Sequence, residues 1–275
     1  MTRMTSLKPR DLFFRVAYHP FVLKHSPKYH YPWLTGQVEG ENVVFLNAGY
    51  EEDPPLNLPL EPADEPNRAC IQQYHLTATQ AGISGKRVLE VGCGHGGGAS
   101  YLTRYLHPAS YVGMDLNAKG IAFCQRTHDV PGLTFVHGDA QSLPFPDESF
   151  DVVINVESSH SYPDFPGFLR EVARVLTTGG HFLYTDLRIR NRVAEWEMQL
   201  AQAPLTMLSS RDINAGVVRG FDQWWVSPQT RETFERVVPP MLRGVVKGAM
   251  GAPGAGLYRA MQDGTMVYRM YSFVK

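Results

Sequence analysis

Eleven consecutive residues constrain this chain more than any others: Val88-Leu89-Glu90-Val91-Gly92-Cys93-Gly94-His95-Gly96-Gly97-Gly98. An apolar run breaks into a cluster of glycines, which reads as a strand turning sharply into a helix. Glycines at such a turn leave no Cβ between the backbone and a ligand, so a nucleotide-sized molecule can approach closely. Gly92, Gly94 and Gly97 also satisfy the spacing G-x-G-x-x-G, so a dinucleotide dehydrogenase has to be weighed. That match alone is weakly specific.

Around this turn the chain alternates strand and helix. Short runs rich in β-branched residues occur at 86–91, 110–115, 133–139, 150–156 and 181–186, each bounded by Gly, Asp or Pro. A helix is expected from about Asn67 to Gln80. Another lies between the last two strands, capped by Asp164, with Pro166 in its first turn and its end at Gly179-Gly180. Residues 190–202 read as a further helix, 204–209 as a sixth strand and 265–274 as an alternating final strand. Alternation of this kind specifies an α/β, doubly wound, mostly parallel sheet.

Two segments stand outside that core. Residues 1–66, aromatic and basic at first and then rich in proline, are expected to form an N-terminal cover segment ahead of the catalytic domain at 67–275. Residues 211–260 are mostly helical and read as a lid, with the soft tract Gly248 to Gly256 as its hinge. Bulky apolar residues outside the sheet (Trp196, Met198, Met207, Leu208, Trp224, Trp225, Met241, Leu242, Met250 and Met261) mostly pack that lid. Met-rich, aromatic surfaces also adapt to irregular apolar ligands.

Composition removes several function classes. A net charge of −1 gives no field to recruit nucleic acid. Three cysteines (Cys70, Cys93 and Cys124) make no disulfide framework and no CxxC metal pair, which fits a reducing cytoplasm. No apolar run is long enough to span a bilayer. The dense acidic run Glu51-Glu52-Asp53 reads as a solvated turn, and no metal is expected. The basic, aromatic N-terminus suits a cover over the cleft, with peripheral membrane contact as the alternative.

Charge separates the two ligand classes that a glycine turn can serve. Glu90 stands two residues before Gly92, where a carboxylate would repel a pyrophosphate but suit a sulfonium and an ammonium. Asp115 closes the next strand, where a carboxylate can take both ribose hydroxyls. Gly138-Asp139-Ala140 closes the third, within reach of an adenine amino group. One such acid would more often be a helix cap; three at successive strand ends fit a cationic ligand.

Glu90-Val-Gly-Cys-Gly-His-Gly96, Asp115, Gly138-Asp139-Ala140 and Leu143-Pro-Phe-Pro-Asp-Glu-Ser-Phe-Asp151 resemble the successive motifs of class I S-adenosylmethionine-dependent methyltransferases. The resemblance runs from about residue 86 to 187 and implies a seven-stranded Rossmann-like sheet and S-adenosylmethionine as co-substrate. It implies Glu90 and the glycines Gly92, Gly94 and Gly96 around methionine, and Asp115 with its neighbour Leu116 at the ribose. Asp139 and Ala140 would serve adenine, and Asn155 the methionine side.

Methyl transfer from a sulfonium is an in-line displacement, so the enzyme aligns donor and acceptor and removes a proton if the acceptor is a hydroxyl. The fourth strand leads into Asn155-Val-Glu-Ser-Ser-His160, placing His160 at the carboxyl end of the sheet as a candidate base. Asp186 ends the fifth strand on the same edge, able to orient the imidazole. This pair is similar to that of natural-product sugar O-methyltransferases, and the competing reading is a loop histidine beside a turn-capping aspartate.

Tyr50-Glu-Glu-Asp-Pro-Pro-Leu, Asp64-Glu-Pro-Asn-Arg68, Cys93 to Arg104 and Leu106-His-Pro-Ala-Ser-Tyr111 resemble the mycobacterial lipid O-methyltransferases, over roughly residues 43 to 275. That group includes phthiotriol and phenolphthiotriol dimycocerosate methyltransferases and, close by, fatty-acid carboxyl methyltransferases. It implies a hydroxyl of a long-chain lipid as acceptor, with a fatty-acid carboxylate as the alternative and a glycolipid sugar as a more distant one. The competing classes are a nicotinamide dehydrogenase and a non-catalytic protein that only binds the donor.

Overall fold

The protein was analysed as a computed structural model, which describes residues 27–38 and 43–275; for residues 27–30 only the backbone is described. Strands β1 (Arg87–Val91), β2 (Ser110–Asp115), β3 (Leu133–His137), β4 (Phe150–Val156), β5 (Leu176–Ile189), β6 (Thr206–Asp212) and β7 (Met266–Val274) form one sheet ordered β3-β2-β1-β4-β5-β7-β6. The first five are parallel, and β7 runs antiparallel to both β5 and β6. The expected α/β doubly wound sheet is therefore present. Chain order reverses between β1 and β4, which opens a crevice at their carboxyl ends.

The helices among the described residues are α1 (Pro27–Gln37), α2 (Arg68–Ala78), α3 (Gly97–Leu106), α4 (Ala118–Thr127), α5 (Phe165–Val175), α6 (Val193–Ala201), α7 (Asn214–Val226), α8 (Pro228–Val237), α9 (Arg243–Ala249) and α10 (Gly256–Gln262). In α5 the Asp164 carboxylate accepts from the backbone N–H of Gly167 at 2.8 Å, and Pro166 sits in the first turn. Its buried stripe of Phe165, Phe168, Leu169, Val172 and Val175 packs against Phe182 and Tyr184 of β5. A second apolar cluster fills the other face between β1, β4 and helices α2 to α4, built on Val88, Ile154, Leu102 and Ile121.

Three boundaries differ from the sequence reading. Strand β5 does not end at Asp186; it runs on to Ile189 because β7 continues to pair with it, so Asp186 stands inside the strand. Gly179-Gly180 does not end α5; the helix stops at Val175 and the chain is already extended at Leu176. Gly179, at φ 77°, sits where the pairing with β4 shifts register. Strand β6 lies at 206–212 and is exposed along its whole length, so backbone pairing with β7 defines it and not an apolar pattern.

Residues 211–260, expected to form a lid, pack as a third cluster through Val217, Phe221, Trp225 and Phe234, with Met261 just beyond them. The soft tract connects α9 to α10, and within it Ala252 is buried, and a Cβ on Gly251 would strike the Phe221 ring. The acidic run is a correction: Glu51 is buried and accepts from Gln72, while Glu52 accepts from Tyr50 and pairs with Arg211. Only Asp53 faces solvent. The aromatic and basic positions before residue 27, the first part of the expected cover, lie outside the described residues. No helix among the described residues is long and apolar enough to cross a membrane.

Candidate active site

The carboxyl ends of β1 to β4 surround a cavity of about 430 Å³, in the range of roughly 300–1,000 Å³ usual for small-molecule sites. Gly92, Gly94, Asp115, Leu116, Asp139 and Ala140 all line it. Gly92 and Gly94 adopt φ of 81° and 55°, conformations that L side chains rarely take. A Cβ on Gly94 would meet nothing nearer than Leu46, itself a cavity residue, at 3.3 Å. The glycine is thus a cradle that a side chain would fill.

Asp115 organises this end of the cavity. Its carboxylate accepts from the backbone N–H groups of Gly94 at 2.9 Å and Asn117 at 2.8 Å. Burial raises its pKa, and those two donors work against the rise. Asn117 lines the cavity too, and its buried Oδ1 has no hydrogen-bond partner. Asp139 accepts from the backbone and side chain of Gln141. Carboxylates at the ends of β2 and β3, an open glycine cradle and an orphaned acceptor suit a nucleoside bearing hydroxyl and amino groups.

Three expected donor residues do not reach the cavity wall. Glu90 is wholly buried, with one oxygen accepting from Tyr74 OH and the other from Tyr111 OH, both at 2.9 Å. Burial raises its pKa to about 7 in spite of those two hydroxyls. It meets the cavity only through Tyr74, which lines it. Gly96 caps α3, and a Cβ there would press on Phe135 and His128. Asn155 is buried behind the wall, donating to Val91 O at 2.8 Å and Ser158 Oγ at 2.7 Å.

His160 and Asp186 do come together. The imidazole Nδ1 lies 2.8 Å from Asp186 Oδ1, and the His160 backbone N–H donates to Oδ2 at 2.9 Å. Oδ2 also accepts from Ser159 Oγ at 2.6 Å, and Arg188 stands 3.2 Å away. Burial would raise the Asp186 pKa, but Arg188 and His160 together hold it well below the usual carboxylate range. The Arg188 guanidinium is itself sandwiched over the rings of Trp196 at 4.7 Å and Phe165 at 5.4 Å. Beside a permanent anion, Nδ1 carries the proton and leaves the Nε2 lone pair free to accept one. His160 does not line the cavity itself, but Glu157, Ser158, Ser161 and Tyr162 around it do.

Several cavity residues escaped the sequence reading. Glu157 closes β4 in the left-handed region, at φ 50°, and accepts from Ala48 N–H at 2.6 Å. Burial raises its pKa, opposed by the Tyr268 hydroxyl and the Ala48 N–H. The rule that selected Glu90, Asp115 and Asp139 (a carboxylate closing a parallel strand) would have found it. Tyr31 and Pro32 of α1, with residues 44–47, close the cavity from the N-terminal side. His95 fastens that side: its ring bonds Val43 O at 2.8 Å and Thr35 Oγ1 of α1 at 2.9 Å. It is neither exposed nor on the cavity wall. His19, His25 and the side chain of His30 lie outside the described residues.

Residues 89–184 match the family described as a methyltransferase domain. The chain is 53% identical, over 96% of its length and 97% of the other, to the phthiotriol/phenolphthiotriol dimycocerosates methyltransferase of Mycobacterium leprae. It is 54% identical to a fatty-acid O-methyltransferase of Mycolicibacterium smegmatis, over 92% of this chain and 91% of that one. Among solved structures, the geranyl diphosphate C-methyltransferase of Streptomyces coelicolor A3(2), in complex with S-adenosyl-L-homocysteine, superposes with a TM-score of 0.65. That match covers 92% of this chain and 97% of the other at 14% identity, a likeness of fold.

Proposed function

The chain belongs to the family of the phthiotriol/phenolphthiotriol dimycocerosates methyltransferases, and on that premise we propose that it methylates a hydroxyl of a long-chain, polyketide-derived lipid. It is an S-adenosylmethionine-dependent methyltransferase. The observation that carries the hydroxyl reading is the His160–Asp186 contact of 2.8 Å, because a hydroxyl acceptor needs a base and a carboxylate does not.

S-adenosylmethionine supplies an activated methyl group on its sulfonium. The residues of this chain do the rest. Asp115 takes the ribose hydroxyls, Asp139 and the backbone at Ala140 meet the adenine, and Gly92 and Gly94 admit the methionine end. Glu90 and Asn155 act at one remove, by holding Tyr74, Val91 O and Ser158. Nε2 of His160 removes the acceptor proton, and Asp186 fixes the tautomer and stabilises the imidazolium that forms. Arg188 keeps Asp186 ionised. Tyr31, Pro32 and residues 44–47 keep water from the donor.

The relative of 54% identity named as a fatty-acid O-methyltransferase favours a second reading, a fatty-acid carboxylate as acceptor. His160 then only donates a hydrogen bond. A methyl-labelled donor, offered with a fatty acid and a long-chain diol of matched length, separates the two. Label that resists mild alkali is an ether and supports the hydroxyl reading; label released as methanol is an ester and replaces it with the second.

A further inference from the structure

We propose that the tip of the lid, residues 239–247, docks on an anionic lipid bilayer. Its use to the enzyme rests on the lipid-acceptor reading; its geometry does not. The tip is a short helical turn at Pro240–Leu242 running into α9. It packs inward through Val246, next to Val238 at its base, onto the cluster that holds Phe234 and Trp225. Outward it presents Met241 at 88% exposure, Val245 at 59% and Leu242 at 42%. Single exposed apolar side chains are ordinary, but three within five residues at the end of one element make a patch that calls for a cover.

Charge selects the bilayer over a second copy or an apolar partner. From Val237 to Gln262 the chain carries Arg243, Lys247 and Arg259 and no Asp or Glu at all, although the whole protein has a net charge of −1. The basicity is local to the apolar tip. Arg243 is steadied by the carbonyls of Glu235 at 2.7 Å and Val238 at 3.2 Å. The ammonium of Lys247 lies 5.5 Å over the Phe234 ring. Among the described residues neither cation has a carboxylate partner, so both keep their charge for a ligand. Apolar side chains next in the chain to two cations without carboxylate partners, Arg243 and Lys247, are the pattern of an interfacial segment, which inserts its apolar groups and sets its cations at anionic headgroups. Each such cation strengthens partitioning by about fivefold at low salt.

The test is co-sedimentation of the full chain with vesicles of phosphatidylcholine alone or mixed with phosphatidylglycerol. The wild type should bind the anionic vesicles at least tenfold more tightly than the neutral ones, and lose that advantage in high salt. A Met241→Asp, Val245→Asp, Lys247→Glu variant should lose binding by at least tenfold while methylating a short-chain, water-soluble acceptor at the wild-type rate. No binding by the wild type overturns the proposal. So does a variant that still binds, which would place the contact elsewhere, or a tip that proves by gel filtration to join two copies. Loss of activity on every lipid acceptor with vesicle binding intact would count against the acceptor assignment alone.

Discussion

The buried carboxylate of Asp186 holds His160 twice, through Nδ1 at 2.8 Å and through the backbone N–H at 2.9 Å. Loop and imidazole are thereby fixed by one anion to β5, three residues before that strand ends. Arg188, 3.2 Å away, lets that anion stay charged in a dry setting. Asp186→Asn keeps the shape and removes the charge, leaving the wrong tautomer favoured at His160. Turnover on a hydroxyl acceptor should fall on the order of 10²–10⁴-fold, with donor affinity by calorimetry unchanged. Equal losses in both would assign the pair to the scaffold.

Glu90 makes stability depend on pH. Its pKa is raised to about 7 in the folded protein from an ordinary 4.5. The folded state therefore binds the proton more tightly than the unfolded chain. Stability is greatest below the ordinary value and falls as pH rises through 7, by at most roughly 3 kcal/mol. Glu90→Gln cannot ionise, so its melting temperature should vary less than that of the wild type between pH 5 and 8, measured without donor. Parallel curves would show that Glu90 is not the titrating group.

Two glycines of the turn should fail in different ways. A Cβ on Gly92 would stand 2.3 Å from Ser158 Oγ, displacing the side chain that ties Asn155 to Tyr162. Gly92→Ala should lose more than about 2 kcal/mol in urea melts, since steric overlap adds to left-handed strain of about 1–2 kcal/mol. Gly94→Ala meets only the flexible Leu46 side chain, at 3.3 Å, and should lose little beyond that strain, yet bind donor at least tenfold more weakly. The reverse order would mean that the cavity wall is drawn in the wrong place.

What the sequence exposed was what backbone alone dictates. Strands, glycine turn and the acids at strand ends follow from periodicity and chain direction, so Asp115, Asp139, His160 and Asp186 stand on the expected edge of the sheet. Hidden were the contacts between distant elements. Nothing near Glu90 in the chain says that Tyr74 of α2 and Tyr111 of β2 will occupy both its oxygens. Nor does the strand pattern reveal that Asn155 turns behind the wall toward Val91. Strand β6 was misplaced because an edge strand exposed on both faces carries no burial signal. Glu51 was misread as solvated because its partners Gln72 and Gln223 lie far along the chain.

The central claim is that His160 takes a proton from an alcohol. Its most direct test is the single-turnover rate of His160→Gln with a long-chain diol, at saturating donor and with donor affinity measured in parallel. A fall on the order of 10²–10⁴-fold with donor affinity unchanged is the predicted result. A rate within a few-fold of wild type on a confirmed alcohol acceptor would contradict it.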